Sequence, residues 1–266
     1  MKELTPKIVV SISDTHCGSE VGLMPPEVEL NNGNVIGHGN NLVQRFLWET
    51  WELGKQWISE ATNGRPFILL LNGDMIDGVH HGGKQLIAQL WDEHLAIAET
   101  CLRPLVDMAD ASLMTKGTEV HTLDLEDTLA AKLGCETGKA KDKWLFEVNG
   151  VLNDAAHHMG TTKRKWLESG EGDRIMANAI LNYHHCGQRV PSVFWRAHRH
   201  VGGYVNHDDH HFLVCGAWQF LTRYGHKVVC ESIPVPSIQF MDFTNPHFPI
   251  HYEKKFYPSQ PEIKTF

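Results

Sequence analysis

Five short segments of this 266-residue sequence concentrate aspartate and histidine, two side chains that commonly bind divalent metal ions. In chain order the segments are Asp14-Thr15-His16, Gly73 to Asp77, Gly117 to His121, His157-His158 and His198-Arg199-His200. Imidazole and carboxylate ligands without thiolate suit borderline and hard divalent ions such as Mn, Fe, Ni or Zn. The residue types in these segments therefore predict a transition-metal centre.

The histidine content favours the same chemistry. The chain contains 18 histidines among 266 residues, which is well above the usual content of a soluble protein. Histidine is the commonest metal ligand, so the excess favours metal binding, although a histidine-rich surface would give the same count. The six cysteines are scattered without a CxxC pair, which predicts reduced, mostly buried thiols rather than disulfides or a cysteine zinc site.

Composition limits the class of protein. Hydrophobic residues make up 42% and charged residues 21%, as in soluble globular proteins. The net charge of −8 argues against a broad nucleic-acid-binding surface, but bound cations would change the local field, so a nucleic-acid substrate is compatible with it. No apolar run reaches the roughly 20 residues of a membrane span, and the N-terminus lacks a signal-peptide core. We expect a cytoplasmic protein with no membrane partner.

Each metal-binding segment follows a segment with β-strand character. Strands are predicted at Lys7 to Ser13, Phe67 to Leu71, Ser112 to Lys116, Val151 to Ala156 and Val193 to Arg196. Ligands of α/β sheets bind beyond the carboxyl ends of the strands, so these loops can converge on one crevice. Glycine beside an acidic residue permits the tight turn that redirects the acidic side chain.

The remaining elements complete an α/β pattern. Residues 19–40 are predicted to form a long loop, and Asn41 to cap a helix through about Glu60. Residues 85–109 predict one or two helices interrupted at Pro104, and Leu125 to Leu133 a helix ended by Gly134. A hairpin turns at 149–150, and β-segments follow near 203–207, 211–215, 238–243 and 249–254.

This order of elements predicts one domain over residues 1–266, with an irregular tail at 256–266. Strand–helix alternation early and strand-rich sequence late indicate a layered α/β fold. We expect mixed β-sheets, arranged as a two-sheet sandwich and flanked by helices.

The order of the motifs resembles the calcineurin-like metallophosphoesterase superfamily. Its DxH, GDxxD, glycine-led loop, histidine and HxH motifs occur in that order between residues 14 and 200. The resemblance implies a dinuclear centre in which Asp74 bridges two ions, most readily Mn²⁺, with Fe, Ni or Zn as alternatives. Such an ion pair can bridge a phosphoryl group and lower the pKa of a shared water. The ligands implied are Asp14, His16 and His200 for one ion, and His157 and His198 for the other, with His158 as the alternative to His157.

The third motif departs from the superfamily pattern. The family has Gly-Asn-His followed by an acidic residue, whereas this chain has Gly117-Thr118-Glu119-Val120-His121. That loop resembles the Gly-Thr-x-x-His form of phage and prophage phosphoesterases. His121 then either protonates the leaving group or replaces the asparagine as a ligand, and Thr118 or Glu119 can take the asparagine's place instead.

Other residues near these motifs have two readings each. Asp77 is expected not to bind the metals directly, with a further ligand or a substrate contact as the alternative. His80 either lines the phosphate side of the cleft or lies in a solvated loop. Arg199 either contacts phosphate or points away. The histidine-rich segment 207–211 looks metal-binding, but its place between two β-segments favours a polar hairpin turn.

The resemblance implies a metal-dependent hydrolase of phosphoric esters. A DNA or RNA phosphodiester is the leading substrate because the third motif is phage-like. A small phosphodiester or a phosphomonoester is the alternative within enzymes. A noncatalytic interaction module on the same fold is the alternative from another class.

Overall fold

The computed structural model of this chain describes residues 5–79, 85–122, 124–160, 168–207, 209–223, 225 and 234–258. The strands are β1 (Ile8–Ile12), β2 (Val28–Glu29), β3 (Val35–Ile36), β4 (Phe67–Asn72), β5 (Ala111–Thr115), β6 (Trp144–Val148), β7 (Val151–Ala155), β8 (Val193–Arg196), β9 (Gly203–His207), β10 (His210–Val214), β11 (Ser237–Asp242) and β12 (Ile250–Lys255). The α-helices are α1 (Leu42–Thr62), α2 (Trp91–Val106), α3 (Glu119–Thr122), α4 (Leu125–Leu133) and α5 (Glu168–His185), with a 3₁₀ turn at Glu136–Gly138.

Two five-stranded mixed sheets form the centre of the fold. The first has the order β12-β11-β1-β4-β5, in which β1, β4 and β5 are parallel to one another, β11 is antiparallel to β1, and β12 is antiparallel to β11. The second has the order β6-β7-β8-β10-β9, in which β7, β8 and β10 are parallel and the edge strands are antiparallel. The predicted mixed sheets are confirmed.

The alternation of side chains along the strands explains why the two sheets stack. In β1, Val9 faces the second sheet and packs in one core with Leu70, Trp195 and Leu213. The neighbouring residues Ile8, Val10 and Ile12 belong to a separate core with helices α1 and α2. Because both faces of β1 are buried, its sequence is apolar at almost every position.

The outer face of the second sheet is covered by α5. Phe194 of β8 and Phe212 of β10 form a third core with Met176 of that helix. The layers therefore run helix, sheet, sheet, helix. The predicted two-sheet sandwich flanked by helices is confirmed.

Helix α1 begins where its sequence signals predict. The side chain of Asn41 accepts hydrogen bonds from the backbone N–H groups of Val43 and Gln44, which caps the helix. Its buried face includes Leu47 and Trp51, and the Trp51 indole donates to the backbone oxygen of Cys101 in α2. The bond connects the two helices that cover the first sheet.

Several predicted bounds need correction. The segment 85–109 is helical only from Trp91 to Val106, because the Glu93 carboxylate accepts the backbone N–H groups of Gln89 and Leu90 and fixes the start there. Pro104 does not break the helix, since it stands in the last turn and removes only one backbone donor. The loop at 19–40 contains the short β2–β3 hairpin.

Helix α5 was not predicted. Its sequence holds Gly170 and Gly172 and has a weak apolar pattern, so local propensity gives no clear helical signal. Strand β9 pairs with β10 with His207 opposite His210, so the expected hairpin between them is confirmed.

The thiols of the described chain are all free. Cys17, Cys101, Cys135 and Cys215 are buried, as predicted, and Cys186 is exposed. Cys230 lies outside the described residues. Within the same described ranges, no helix combines the length and the apolar character needed to cross a membrane.

Candidate metal centre

The five predicted metal-binding segments each follow a strand and meet at one end of the sandwich. Three of them follow β1, β4 and β5 of the first sheet, and two follow β7 and β8 of the second. Backbone hydrogen bonds connect neighbouring loops, for example from Asp14 N to Gly73 O at 3.0 Å and from Ala197 N to His157 O at 2.9 Å. The predicted convergence of these loops is therefore present.

The backbone is left-handed at five of the predicted ligands. A positive φ is uncommon outside glycine and costs about 1–3 kcal/mol at each residue, so it persists only where the surroundings enforce it. These residues are Asp14 (φ 53°), His16 (43°), Asp74 (54°), His198 (72°) and His200 (57°). Five of the nine non-glycine residues with a positive φ in the described chain are therefore predicted ligands, which makes these loops the candidate site.

Two glycines let the loops approach closely. A Cβ at Gly73 would lie 2.5 Å from Nδ1 of His157, and φ there is +78°. A Cβ at Gly117 would overlap the carboxylate of Asp74. Both positions therefore require glycine if Asp74 is to sit between β4, β5 and the histidine that follows β7.

The first cluster contains Asp14, His16 and His200. The Nε2 atoms of the two histidines are 3.3 Å apart, and Asp14 Oδ1 lies 3.9 Å from His16 Nε2 and 3.4 Å from His200 Nε2. Four tetrahedral ligands with metal bonds near 2.1 Å stand about 3.4 Å apart, close to these separations. Asp14 Oδ1 is also buried and has no hydrogen-bond partner. These three atoms fit a divalent cation.

Asp77 holds His16 in place. His16 Nδ1 donates to Asp77 Oδ1 at 2.9 Å, and Gln219 Nε2 donates to the same oxygen at 3.2 Å. Hydrogen bonds of this kind fix the tautomer of a metal-binding histidine and leave its Nε2 lone pair for the ion. Burial opposes protonation of His16, but the Asp77 bond and charge outweigh it and raise the pKa of His16 to about 9.

The second cluster contains His157, His158 and His198, whose ring nitrogens lie within 4.8 Å of one another. His157 is buried, its Nδ1 donates to Asn72 O at 2.6 Å, and its Nε2 lies 3.0 Å from Asp74 Oδ2. His158 is exposed at the rim of the same cluster. The anchored ring of His157 has the geometry expected of a ligand, while His158 is open to solvent.

Asp74 lies between the two clusters. Its Oδ2 is 3.0 Å from His157 Nε2 and 4.0 Å from His16 Nε2. The backbone N–H of Thr118 donates to Oδ1 at 2.6 Å, and the Thr118 hydroxyl donates to Oδ2 at 3.0 Å. A carboxylate in this position can contact two cations at once.

Opposed charges dominate the electrostatics of the centre. Burial favours the neutral acid at Asp14, but the charges of the nearby His157 and His200 outweigh it and lower the pKa of Asp14 to about 2. The pKa of Asp74 is held well below its usual range because His157 overcomes its burial. Burial and the nearby charge of His157 lower the pKa of His198 to about 4, which leaves His198 a neutral potential ligand.

Carboxylate charge has the opposite effect on His157. Burial disfavours the imidazolium form, but Asp74 and Asp14 together raise the pKa of His157 to about 10. His157 is therefore protonated near neutral pH whenever no cation competes for Nε2.

Thr118 and His121 of the third motif lie on different sides of the centre. The Thr118 hydroxyl is 3.2 Å from His198 Nδ1, which places Thr118 beside the second cluster. His121 Nδ1 donates to Asp77 O at 3.1 Å, and its ring meets His16 edge-on with centroids 4.9 Å apart. His121 therefore lies beside the first cluster, and its side chain is 20% exposed. Glu119 is exposed at the start of α3.

Arg199 and His80 are the remaining predicted site residues. Arg199 Nη1 donates to Gly160 O at 3.3 Å, beside the histidine clusters. His80 lies outside the described residues, so its predicted position beside the phosphate stays a prediction.

Sequence reasoning missed Glu126, although this residue ties two of the loops together. Its buried carboxylate accepts the backbone N–H of Met75 at 3.0 Å and that of Gly117 at 2.6 Å. Burial, reinforced by the negative charge of Asp74, raises the pKa of Glu126 to about 7. The only sequence signal was an acidic residue on the otherwise apolar face of α4.

Comparisons with known proteins give structural neighbours only. No family model and no curated protein matches the chain. Among solved structures, Vps29 of Chaetomium thermophilum is 12% identical, with 95% of this chain and 96% of that chain covered and a TM-score of 0.49. A structure described as a novel archaeal phosphodiesterase is 13% identical, with coverage of 94% and 99% and a TM-score of 0.45. Vps29 of Entamoeba histolytica complexed with zinc is 10% identical, with coverage of 94% and 99% and a TM-score of 0.40.

Proposed function

We propose that this chain is a two-metal phosphoesterase that hydrolyses a phosphodiester. The observation that carries the proposal is the position of Asp74, whose carboxylate stands between a cluster with Asp14, His16 and His200 and a cluster of histidines. Two ions about 3.5–4 Å apart can stabilise both the attacking and the leaving oxygen of a phosphate ester, and a shared carboxylate can hold ions at that spacing.

The residues divide between two ions. Asp14, His16 and His200 would hold one divalent ion, His157 and His198 the other, and Asp74 both. Bound ions supply Lewis-acid polarisation of the phosphoryl oxygens and a lowered pKa for water. Mn²⁺ is the proposed ion, with Fe, Ni and Zn as alternatives that the same donor set accepts.

Thr118 supports the second half of the centre in place of the asparagine usual in the superfamily. Its backbone N–H and hydroxyl both donate to Asp74, and the hydroxyl reaches His198. Thr118 thus orients the shared carboxylate and one histidine together. We assign it this orienting role, with direct contact to an ion as the alternative.

His121 is the proposed general acid. Its Nδ1–H bond to Asp77 O orients the imidazole beside the first cluster, where a general acid could donate a proton to the leaving oxygen. The Asp77 carboxylate lies 3.8 Å from Nδ1 of His121 and places a negative charge beside the ring. Among the histidines around the first cluster, His121 is solvent-accessible where His16 is buried, so a substrate can reach it.

A DNA or RNA phosphodiester is the proposed substrate, and it rests on the phage-like third motif. The overall charge of −8 would repel a polyanion, so the phosphate must be attracted locally. Two bound cations and the guanidinium of Arg199 would supply that attraction. A small phosphodiester or a phosphomonoester is the alternative.

A metal-by-substrate screen tests this function. Chelated protein is supplied in turn with Mn²⁺, Ni²⁺, Zn²⁺, Fe²⁺ and Mg²⁺ and assayed on plasmid DNA, single-stranded DNA, RNA and bis- and mono-p-nitrophenyl phosphate. We expect diester hydrolysis with Mn²⁺ or Ni²⁺ that Asp74→Asn abolishes. Absence of hydrolysis with every metal and substrate, in protein that binds metal, would favour the noncatalytic module.

A further inference from the structure

A small apolar cavity lies between the outer face of the second sheet and α5, and residues next in sequence to the proposed metal ligands help to line it. Its volume is about 140 Å³. Its apolar walls come from the loop after β7, from the loop after β8 and from strands β9 and β10. The residues that form these walls are Met159, Val201, Val205, Phe212 and Val214. We refer to this space as the ring cavity.

The walls of the ring cavity are continuous in the chain with the proposed metal ligands. Met159 directly follows His158, and Val201 directly follows His200. Arg199, which also lines the cavity, stands between the two histidines of the last motif. Three residues that line the cavity are therefore direct chain neighbours of proposed metal ligands, and one of the three carries a guanidinium.

Two glycines keep the cavity open. A Cβ on Gly172 of α5 would come within 3.1 Å of the Phe212 ring and 3.5 Å of Val205, so any side chain there would intrude on the wall. Gly203 of β9 lies on the same face of its strand as Val205, and a Cβ there would meet nothing within 4 Å. Glycine inside a helix or strand costs stability, and the cavity gives both glycines a physical role.

We propose that the ring cavity binds an aromatic ring carried by the retained alcohol of a phosphodiester substrate, as in a nucleoside ester. The proposal rests on the proposed phosphoesterase function. An apolar cavity of about 150 Å³ holds one benzene ring, so this volume suits a single six-membered ring such as a pyrimidine base. Arg199 at its edge adds a cation for the phosphate to which such a ring is attached.

The reaction leaves the ring in the cavity. Water forms the new P–O bond, the P–O bond to the leaving alcohol breaks, and the leaving oxygen takes up a proton. The ester bond to the ring-bearing alcohol stays intact, so the product held there is a phosphomonoester. The ring cavity thus decides which of the two ester groups is retained.

The test compares two diesters with one leaving group. Thymidine 5′-(p-nitrophenyl phosphate) carries a pyrimidine on the retained side, and ethyl p-nitrophenyl phosphate carries none. Manganese-loaded wild-type protein should show kcat/KM at least about tenfold higher for the thymidine ester, which is the discrimination that filling a small apolar pocket supports. Both reactions release p-nitrophenolate and are read in the same assay.

Two variants fill the cavity from one strand. Gly203→Val and Val205→Phe should each bring the ratio of the two kcat/KM values to within about twofold of one, with the ethyl ester's kcat/KM nearly unchanged. Gly170→Val is the matched control, because a Cβ there also meets nothing within 4 Å and Gly170 does not line the cavity. The control should keep the wild-type ratio, and thermal unfolding and metal content should show that all three variants fold.

The outcomes separate this inference from the proposed function. The proposed role of the ring cavity is overturned if the ratio of the two kcat/KM values is near one in the wild type, or if both filled variants keep the wild-type ratio. Hydrolysis of the ethyl ester would still support the proposed phosphoesterase function in either case. Equal loss on both esters in the folded variants also overturns it, because the cavity would then not distinguish the retained group. No hydrolysis of either ester by metal-loaded wild type removes both proposals.

Discussion

The Nε2 atoms of His16 and His200 face each other across 3.3 Å, although 184 positions separate the two residues in the chain. The two rings can share one hydrogen bond at this distance, but the nearby Asp14 Oδ1 is buried and accepts none. A divalent cation among these three atoms satisfies all of them. The relationship makes metal content the first quantity to measure.

The purified chain is expected to bind up to two transition ions. Elemental analysis after Mn²⁺ loading and gel filtration should give a stoichiometry approaching two, and chelation should remove both the metal and the activity. The bound ions would neutralise the buried carboxylates of Asp14 and Asp74 and stabilise the folded state. Chelation should therefore also lower the midpoint of thermal unfolding. A chain that binds no ion specifically would remove the proposed centre.

Asp74→Asn should abolish turnover and weaken binding of the ion pair, because a neutral amide bridges two cations poorly. Asp77→Asn is the matched control, because it makes the same chemical change at a carboxylate that hydrogen-bonds His16 and is not itself a proposed ligand. It should lower metal affinity by about 10–100-fold and leave measurable activity at saturating metal. Equal losses in both variants would mean that the ligands have been misassigned.

His121→Ala should leave metal stoichiometry nearly intact and lower kcat about 10²–10⁴-fold on a diester with a poor leaving group. On p-nitrophenyl esters the loss should be small, because p-nitrophenolate departs without a proton. If His121 is a ligand instead, the variant should bind metal weakly and excess Mn²⁺ should partly restore the rate. Thr118→Ala and Glu119→Ala, assayed beside it, show whether either residue serves the second ion.

Metal binding should release protons near neutral pH. The pKa values of about 9 for His16 and about 10 for His157 mean that both are charged below those values in the absence of a cation. A cation must displace these protons, so apparent Mn²⁺ affinity should rise with pH through the neutral range and level off towards pH 10. Calorimetry in two buffers of different ionisation enthalpy measures the protons released, and a buffer-independent heat would contradict the prediction.

Glu126→Gln should change how the metal-free protein responds to pH. The folded pKa of about 7 exceeds the ordinary value of 4.5, so the folded state keeps its proton where the unfolded state loses it. Wild-type stability should therefore fall as pH rises from 4.5 through 7, relative to the variant, by roughly 3 kcal/mol in all. Urea unfolding with chelator at pH 4.5, 6 and 8 measures the difference, which a constant offset would contradict.

The sequence by itself predicted most of the strands and helices and supplied the candidate side chains of the proposed site. Strands such as Ile8–Ile12 have apolar runs, and helix α1 has its Asn41 cap, so local patterns were enough to predict both. The motif segments could be placed after strands for the same reason. Local patterns failed at α5, where glycines and weak periodicity hide a helix that packing against Phe194 and Phe212 stabilises.

Only the tertiary structure decided how the side chains are grouped. Placing His121 beside His16 and Thr118 beside His198 requires contacts between residues about 80 to 105 positions apart, and such contacts leave no periodic signal in a single sequence. Glu126 illustrates the same limit, because its two acceptor bonds reach backbone groups of Met75 and Gly117 rather than any recognisable side chain. The sequence specifies which side chains the candidate site can contain, and the packing of the two sheets decides which of those side chains come into contact.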